Sequence, residues 1–238
     1  MKEQKLQDYL QETMYRPLDR KKFLKFTALA GGTLAFGLSA CHKDNGSVGS
    51  DVTDVGGGDP GILNFAYALE QLEAAFYIKV NASFYTNATM EEKAILSDIM
   101  NHEIAHRDFF KKALGSAAIK DLKFDWSSVD FTSRASVLGT AKALEDTGVS
   151  AYNGAGQYIQ SADYLVLAGK IVSVEARHAA AIRDLLNPKS ADFAGDDVVA
   201  AATGLDFSRT PNSTTGGPSI VATANTFLLT KISATKLP

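Results

Sequence analysis

Between residues 60 and 187 the apolar positions recur every three or four residues in four long stretches. That is the spacing of helices that each bury one face. The first stretch opens on Asp59-Pro60, an N-cap followed by a proline at the first helical position. Leu63, Tyr67, Leu69, Ala74, Phe76 and Tyr77 line its apolar face up to about Val80. Thr89 and Glu92 form a capping box for a second helix. It carries Ile95, Ile99 and Phe109 to Leu114 and stops at Gly115. A longer connection, Ser116 to Asp130, holds the only tryptophan, Trp126. The third helix is predicted from about Phe131 to Ile159, with Gly148, Gly154 and Gly156 as weak points where it can kink. The fourth runs from about Ala162 to Leu186 and ends before Pro188. The pattern is all-α, one helical domain over 60–187 with a C-terminal extension over 188–238. In that extension Asp196 to Ala202 starts a short helix, Asn212 to Pro218 is a loop, and Ile220 to Ile232 is a second ordered segment.

The N-terminal residues follow a different pattern. Residues 1–41 read as a signal peptide. A basic cluster (Arg20, Lys21, Lys22, Lys25) leads into an apolar run from Phe23 to Ala40. That run is short and contains glycine, which suits a signal segment better than a stable membrane span. Its end, Leu38-Ser39-Ala40-Cys41, resembles the lipobox of bacterial lipoproteins, in which the cysteine is acylated. Arg20-Lys21-Lys22-Phe23-Leu24-Lys25 resembles a twin-arginine export motif, with Lys21 in place of the second arginine. The expectation is an exported lipoprotein held to a membrane of the bacterial cell envelope through Cys41. Residues 42–59 are rich in Gly, Ser, Asn and Asp and read as a flexible linker.

Composition narrows the function. A formal net charge of −3 offers no basic surface for nucleic acid. A single cysteine excludes an internal disulfide framework and a cysteine-rich zinc site.

The candidate chemistry lies on the helices. The first reads Ala68-Leu69-Glu70 with Tyr77 seven residues after the glutamate; the third reads Ala143-Leu144-Glu145 with Tyr152 seven residues on. The second carries Glu103-Ile104-Ala105-His106 and the fourth Glu175-Ala176-Arg177-His178. One helix hairpin is written twice. Glu and His at i and i+3 project from one face, so both can reach one metal region. With only four histidines in the chain, two such pairs on matched helices exceed chance placement. Glu70 and Glu103 each lie roughly 20 Å from their shared turn at 1.5 Å per residue. The second hairpin repeats this with Glu145 and Glu175, so all four carboxylates reach one level. Four carboxylates balance two divalent ions in a core where bare charge is costly.

Glu73 competes with Glu70, one turn away on nearly the same face. The internal match sets Glu73 opposite Gly148, which favours Glu70. Tyr77 and Tyr152 read either as core aromatics or as hydroxyl donors that orient the carboxylates. His102 points about 100° away from Glu103, toward the surface or behind the ligands.

Leu69-Glu70-Gln71-Leu72-Glu73-Ala74-Ala75-Phe76-Tyr77, His102-Glu103-Ile104-Ala105-His106, Gly148-Val149-Ser150-Ala151-Tyr152 and Val174-Glu175-Ala176-Arg177-His178 resemble the ferritin-like superfamily. The resemblance is to its exported bacterial branch, related to plant desiccation-associated proteins. It implies an antiparallel four-helix bundle with Glu103 and Glu175 bridging two metal ions, Glu70 and Glu145 as terminal ligands, and His106 and His178 completing the site. The expected cofactor is two iron ions, or two manganese ions. The expected partner is a small oxidant, O2 or peroxide, which makes the site a candidate oxidase, ferroxidase or peroxide-disproportionating centre. The alternative is a surface-anchored structural or stress protein whose metal only stabilises the bundle.

Overall fold

The computed structural model describes residues 52–195, 210–212, 214 and 218–238. The segment read as a signal peptide, with Cys41, the part of the expected linker up to residue 51 and the helix expected at Asp196 to Ala202 lie outside the described residues.

Four long helices form two antiparallel hairpins. Helix α1 is Gly58–Ala82, α2 is Met90–Leu114, α3 is Arg134–Gly156 and α4 is Ala162–Leu186. Helix α1 packs on α2 and α3 on α4, and the hairpins meet through α1 against α3 and α2 against α4. A short strand β1 (Val52–Asp54) precedes the bundle, and a short helix α5 (Ile220–Asn225) and strand β2 (Lys231–Ser233) follow it. None of the described helices is long and apolar enough to cross a membrane.

The helix ends follow local chemistry. The Thr89–Glu92 capping box forms as expected, with both reciprocal hydrogen bonds in place. Helix α1 begins earlier than its sequence signal, at Gly58, and Gly57 caps it without a side-chain bond. Asp59 is used elsewhere. Its carboxylate accepts the backbone N–H groups of Gln160 and Ser161 at 2.8 and 2.9 Å, pinning the α3–α4 turn to the start of α1. Helix α3 is shorter than expected because Asp130 accepts from the Thr132 N–H and hydroxyl, and that turn delays the helix to a Ser133 cap. It runs as one continuous helix past Gly148 and Gly154.

The core runs along the bundle through Leu72, Phe76, Leu96, Val137, Leu138, Leu144 and Ile182, all nearly inaccessible. Each such side chain contributes about 1.5–3 kcal/mol by leaving water. Trp126, in the α2–α3 connection, stacks on Phe124 and meets Phe76, Phe131 and Phe227. Arg183 of α4 is 1% exposed and reaches Asp146 of α3 with two nitrogens, at 3.1 and 2.7 Å.

The C-terminal extension joins this core through Ile220, Leu228, Ile232 and Leu237. Strand β2 pairs in parallel with β1, Val52 opposite Lys231. Val52–Asp54 thus form a strand rather than flexible linker, because Lys231–Ser233 supply their ladder partners. The segment read as one unit from Ile220 to Ile232 divides into α5 and β2. Gly61 makes the close approach at β1's exit possible: a Cβ there would sit 2.6 Å from the Gly56 carbonyl.

Candidate metal centre

The helical register brings Glu70, Glu103, Glu145 and Glu175 together at one level of the bundle, each 0% exposed. His106 and His178 join them, with His178 buried and His106 13% exposed. Ligand atoms of Glu70, Glu103, His106 and Glu175 lie within 4.8 Å of one another, and so do those of Glu103, Glu145, Glu175 and His178.

The two groups share Glu103 and Glu175, and each of these turns one oxygen to each histidine. Glu175 Oε1 is 2.7 Å from His106 Nδ1, while its Oε2 is 3.5 Å from His178 Nδ1. Glu103 Oε1 is 2.7 Å from His178 Nδ1, while its Oε2 is 3.7 Å from His106 Nδ1. Glu70 Oε2 stands 3.4 Å from His106 Nδ1 and Glu145 Oε2 stands 3.6 Å from His178 Nδ1. The geometry has pseudo-twofold symmetry, as two copies of one hairpin should produce.

The donor atoms test whether metal ions fit. Both histidine Nδ1 atoms, both oxygens of Glu103 and of Glu175, Glu70 Oε2 and Glu145 Oε2 are buried and make no hydrogen bond, despite their short separations. Their angles do not direct an N–H at an oxygen. The donor atoms nonetheless converge on two shared regions. Two ligand atoms about 2.1 Å from one ion and at right angles to each other sit about 3 Å apart, which is the spacing found here. Orphaned buried polar atoms are rare in native proteins and call for a partner. The cluster can therefore hold metal ions.

The surrounding groups orient the carboxylates across the hairpins. Tyr77 of α1 donates to Glu145 Oε1 of α3 at 2.5 Å, and Tyr152 of α3 donates to Glu70 Oε1 of α1. Burial, with the adjacent carboxylates, raises both phenols well above their ordinary value, so both stay protonated donors. His102 is exposed, and its Nδ1 lies 2.9 Å from His178 Nε2. That contact fixes the ring of His178 with Nδ1 facing the carboxylates.

Glu73 is buried beside the cluster without belonging to either ligand-atom group. Burial, then Glu103, Glu175, Glu145 and Glu70, push its carboxyl well above the usual range. Gly148 makes room for it: a Cβ there would lie 2.9 Å from Glu73 Oε1. The large–small pairing seen between the sequence halves is thus a direct contact between α1 and α3. Sequence reasoning missed this use of Gly148, although the internal match had already set the two positions opposite one another.

Electrostatics without a cation are strained. Burial raises Glu70 well above the carboxylate range, with Glu175 adding to it, and burial with Glu103 and Glu175 lifts Glu145 to about 8. Burial also opposes charge on Glu103, yet His106 and His178 outweigh it and bring that group down to about 2. Burial disfavours the imidazolium, yet the carboxylates hold His106 and His178 at about 12.

A family model described as a ferritin-like domain matches residues 58–188. The chain belongs to the ferritin-like domain family. The match spans all four helices and every residue of the cluster. No curated protein matches this ferritin-like chain.

Proposed function

We propose that this ferritin-like chain is an exported, membrane-anchored di-iron protein that oxidises Fe(II) or delivers electrons to O2 or peroxide. The observation that carries the reading is the split of Glu103 and Glu175, each offering one oxygen to either histidine. Glu70, Glu103, His106 and Glu175 would hold one ion; Glu103, Glu145, Glu175 and His178 would hold the other. Iron held there would supply one-electron redox chemistry toward O2 or peroxide. The chain's own residues do the rest. Glu103 and Glu175, which belong to both ligand groups, would be shared by the two ions. Tyr77 and Tyr152 lock the terminal carboxylates through their hydroxyl bonds, and the apolar core above and below excludes bulk water. The same oxygen-rich donor set suits manganese, with peroxide disproportionation as the matching activity.

The full chain, loaded in turn with Fe(II) and Mn(II), should consume O2 or peroxide faster than an equal concentration of free metal. The Glu103→Ala variant should lose that excess. A chain that carries two ions and consumes neither oxidant above the free-metal rate would leave the metal as a stabiliser only. Export and anchoring rest on residues 1–41. In its native cell the chain should partition into membranes, and Cys41→Ala should release it or leave it unprocessed. A mature chain found intact from Met1 and fully soluble would overturn the anchor.

A further inference from the structure

The pseudo-twofold symmetry of the cluster is broken where α1 faces α3. Along that seam Glu70 meets Tyr152, Glu73 meets Gly148, and Tyr77 meets Glu145. The outer pairs repeat one another, each a glutamate held by a tyrosine hydroxyl. The middle pair sets a further glutamate against a glycine. Glu73 therefore lies between the two terminal carboxylates, at the centre of the seam. Among the charges around it, Glu103 and Glu175 act on it most strongly, and these are the residues common to both ligand groups.

The bundle gives this side chain little in return for its burial. Glu73 is 2% exposed, and its Oε2 makes no hydrogen bond. The strongest charges near it are all carboxylates. A buried acid among acids costs stability, and an apolar side chain would fill the space without that cost. Yet α3 is shaped to accommodate it. The missing side chain of Gly148 leaves room for Glu73 Oε1, which would stand 2.9 Å from a Cβ there. The carboxylate thus has a resting place on α3, and rotatable bonds with which to leave it.

Charge decides when it would leave. The four glutamates of the two ligand groups balance two divalent ions. Each ion that gives one electron to O2 or peroxide gains one positive charge, and those four carboxylates no longer balance the pair. We propose that Glu73 is a reserve ligand, parked against Gly148 beside a divalent pair and drawn onto the ions when they become trivalent. Attraction to a carboxylate grows with the charge of the ion. One further carboxylate restores neutrality once the first electron has gone. Glu73 therefore favours the oxidised pair over the reduced one and retains the ions after oxidation. This role rests on the proposed di-metal centre.

The test loads the full chain, under argon, with Mn(II) or with Ga(III), a redox-inert trivalent ion. Competition against a chelator gives the affinity for each ion, elemental analysis gives the ion count, and melting of the stripped chains shows that each variant folds. Glu73→Gln keeps the shape and removes the charge. It should hold Mn(II) as the wild type does and lose affinity for Ga(III) by about 10–100-fold. Glu73→Asp keeps the charge but falls one methylene short of the ions, and should lose Ga(III) likewise. An equal effect on both ions, or no effect on either, makes Glu73 a packed acid and overturns the proposal. Wild-type Ga(III) affinity in Glu73→Asp makes it a remote charge rather than a ligand, and overturns it too. A wild-type chain that takes up Mn(II) but not Ga(III) overturns the reserve ligand and leaves the di-metal centre standing. A wild-type chain that takes up neither refutes the di-metal centre, and the reserve ligand with it.

Discussion

Loaded with Fe(II) or Mn(II), the chain is expected to carry close to two ions and to melt about 10 °C or more above its stripped form. Metal binds the folded state and not an unfolded chain whose ligands are scattered, so binding free energy becomes stability. At a thousandfold excess over the dissociation constant each site adds about 4 kcal/mol, and in a domain of this size each kcal/mol raises the melting temperature by about 2–4 °C. Loss of Glu103 should remove both ions, because one of its oxygens serves each half. His106→Ala and His178→Ala should each narrow the gap between loaded and stripped melting, by removing one nitrogen donor. Glu70→Ala should cost far more occupancy than Glu73→Ala, since Glu70 Oε2 faces His106 at 3.4 Å while Glu73 belongs to neither ligand group. Elemental analysis and paired melting curves read all of this. A wild-type chain that stays metal-free after reconstitution and melts identically either way would sink the di-metal reading.

Much of this site was legible in sequence because helical register is a short-range rule. Glu-x-x-His on two helices and Glu70 and Glu145 on the other two lie at matched distances from their hairpin turns, which places six donors at one level. The cross-hairpin bonds from Tyr77 and Tyr152 were half visible: the repeated seven-residue spacing singled them out, but which carboxylate each meets depends on how the hairpins dock. His102 meeting His178 belongs to the same class, since it joins α2 to α4 across 76 positions. The strand pair β1–β2 left no usable signal. Val52–Asp54 is three residues long, lies among glycines, and becomes a strand only because Lys231–Ser233 reaches it from the far end of the chain. The start of α1 was misjudged for a related reason. Asp59 has the right side chain to cap its own helix, but the nearby α3–α4 turn offers it two backbone donors.

The stripped chain should lose stability as the pH rises from about 5 to about 9, the opposite of the usual carboxylate trend. Glu145 is held at about 8 in the folded chain, against an ordinary value of 4.5. Between those values the folded state keeps a proton that the unfolded state has released, so each step upward in pH favours unfolding. Glu70 and Glu73 are displaced in the same direction by burial and by their carboxylate neighbours. His106 and His178 act likewise. Their stabilisation as imidazolium is complete below about 6.5 and drains away as the pH climbs toward 12. Glu103, at about 2, runs the other way, but its contribution is already whole above 4.5 and fades only in strong acid, outside this window. Metal loading reverses the balance. Ions need bare carboxylates and a free imidazole lone pair, so binding expels the protons and tightens with pH. Melting curves at pH 5.5, 7 and 8.5, with and without chelator, should show stripped and loaded temperatures diverging upward through the series. A stripped chain that melts higher at pH 8.5 than at 5.5 would mean that the buried carboxylates are not protonated, and that some other positive charge balances the cluster.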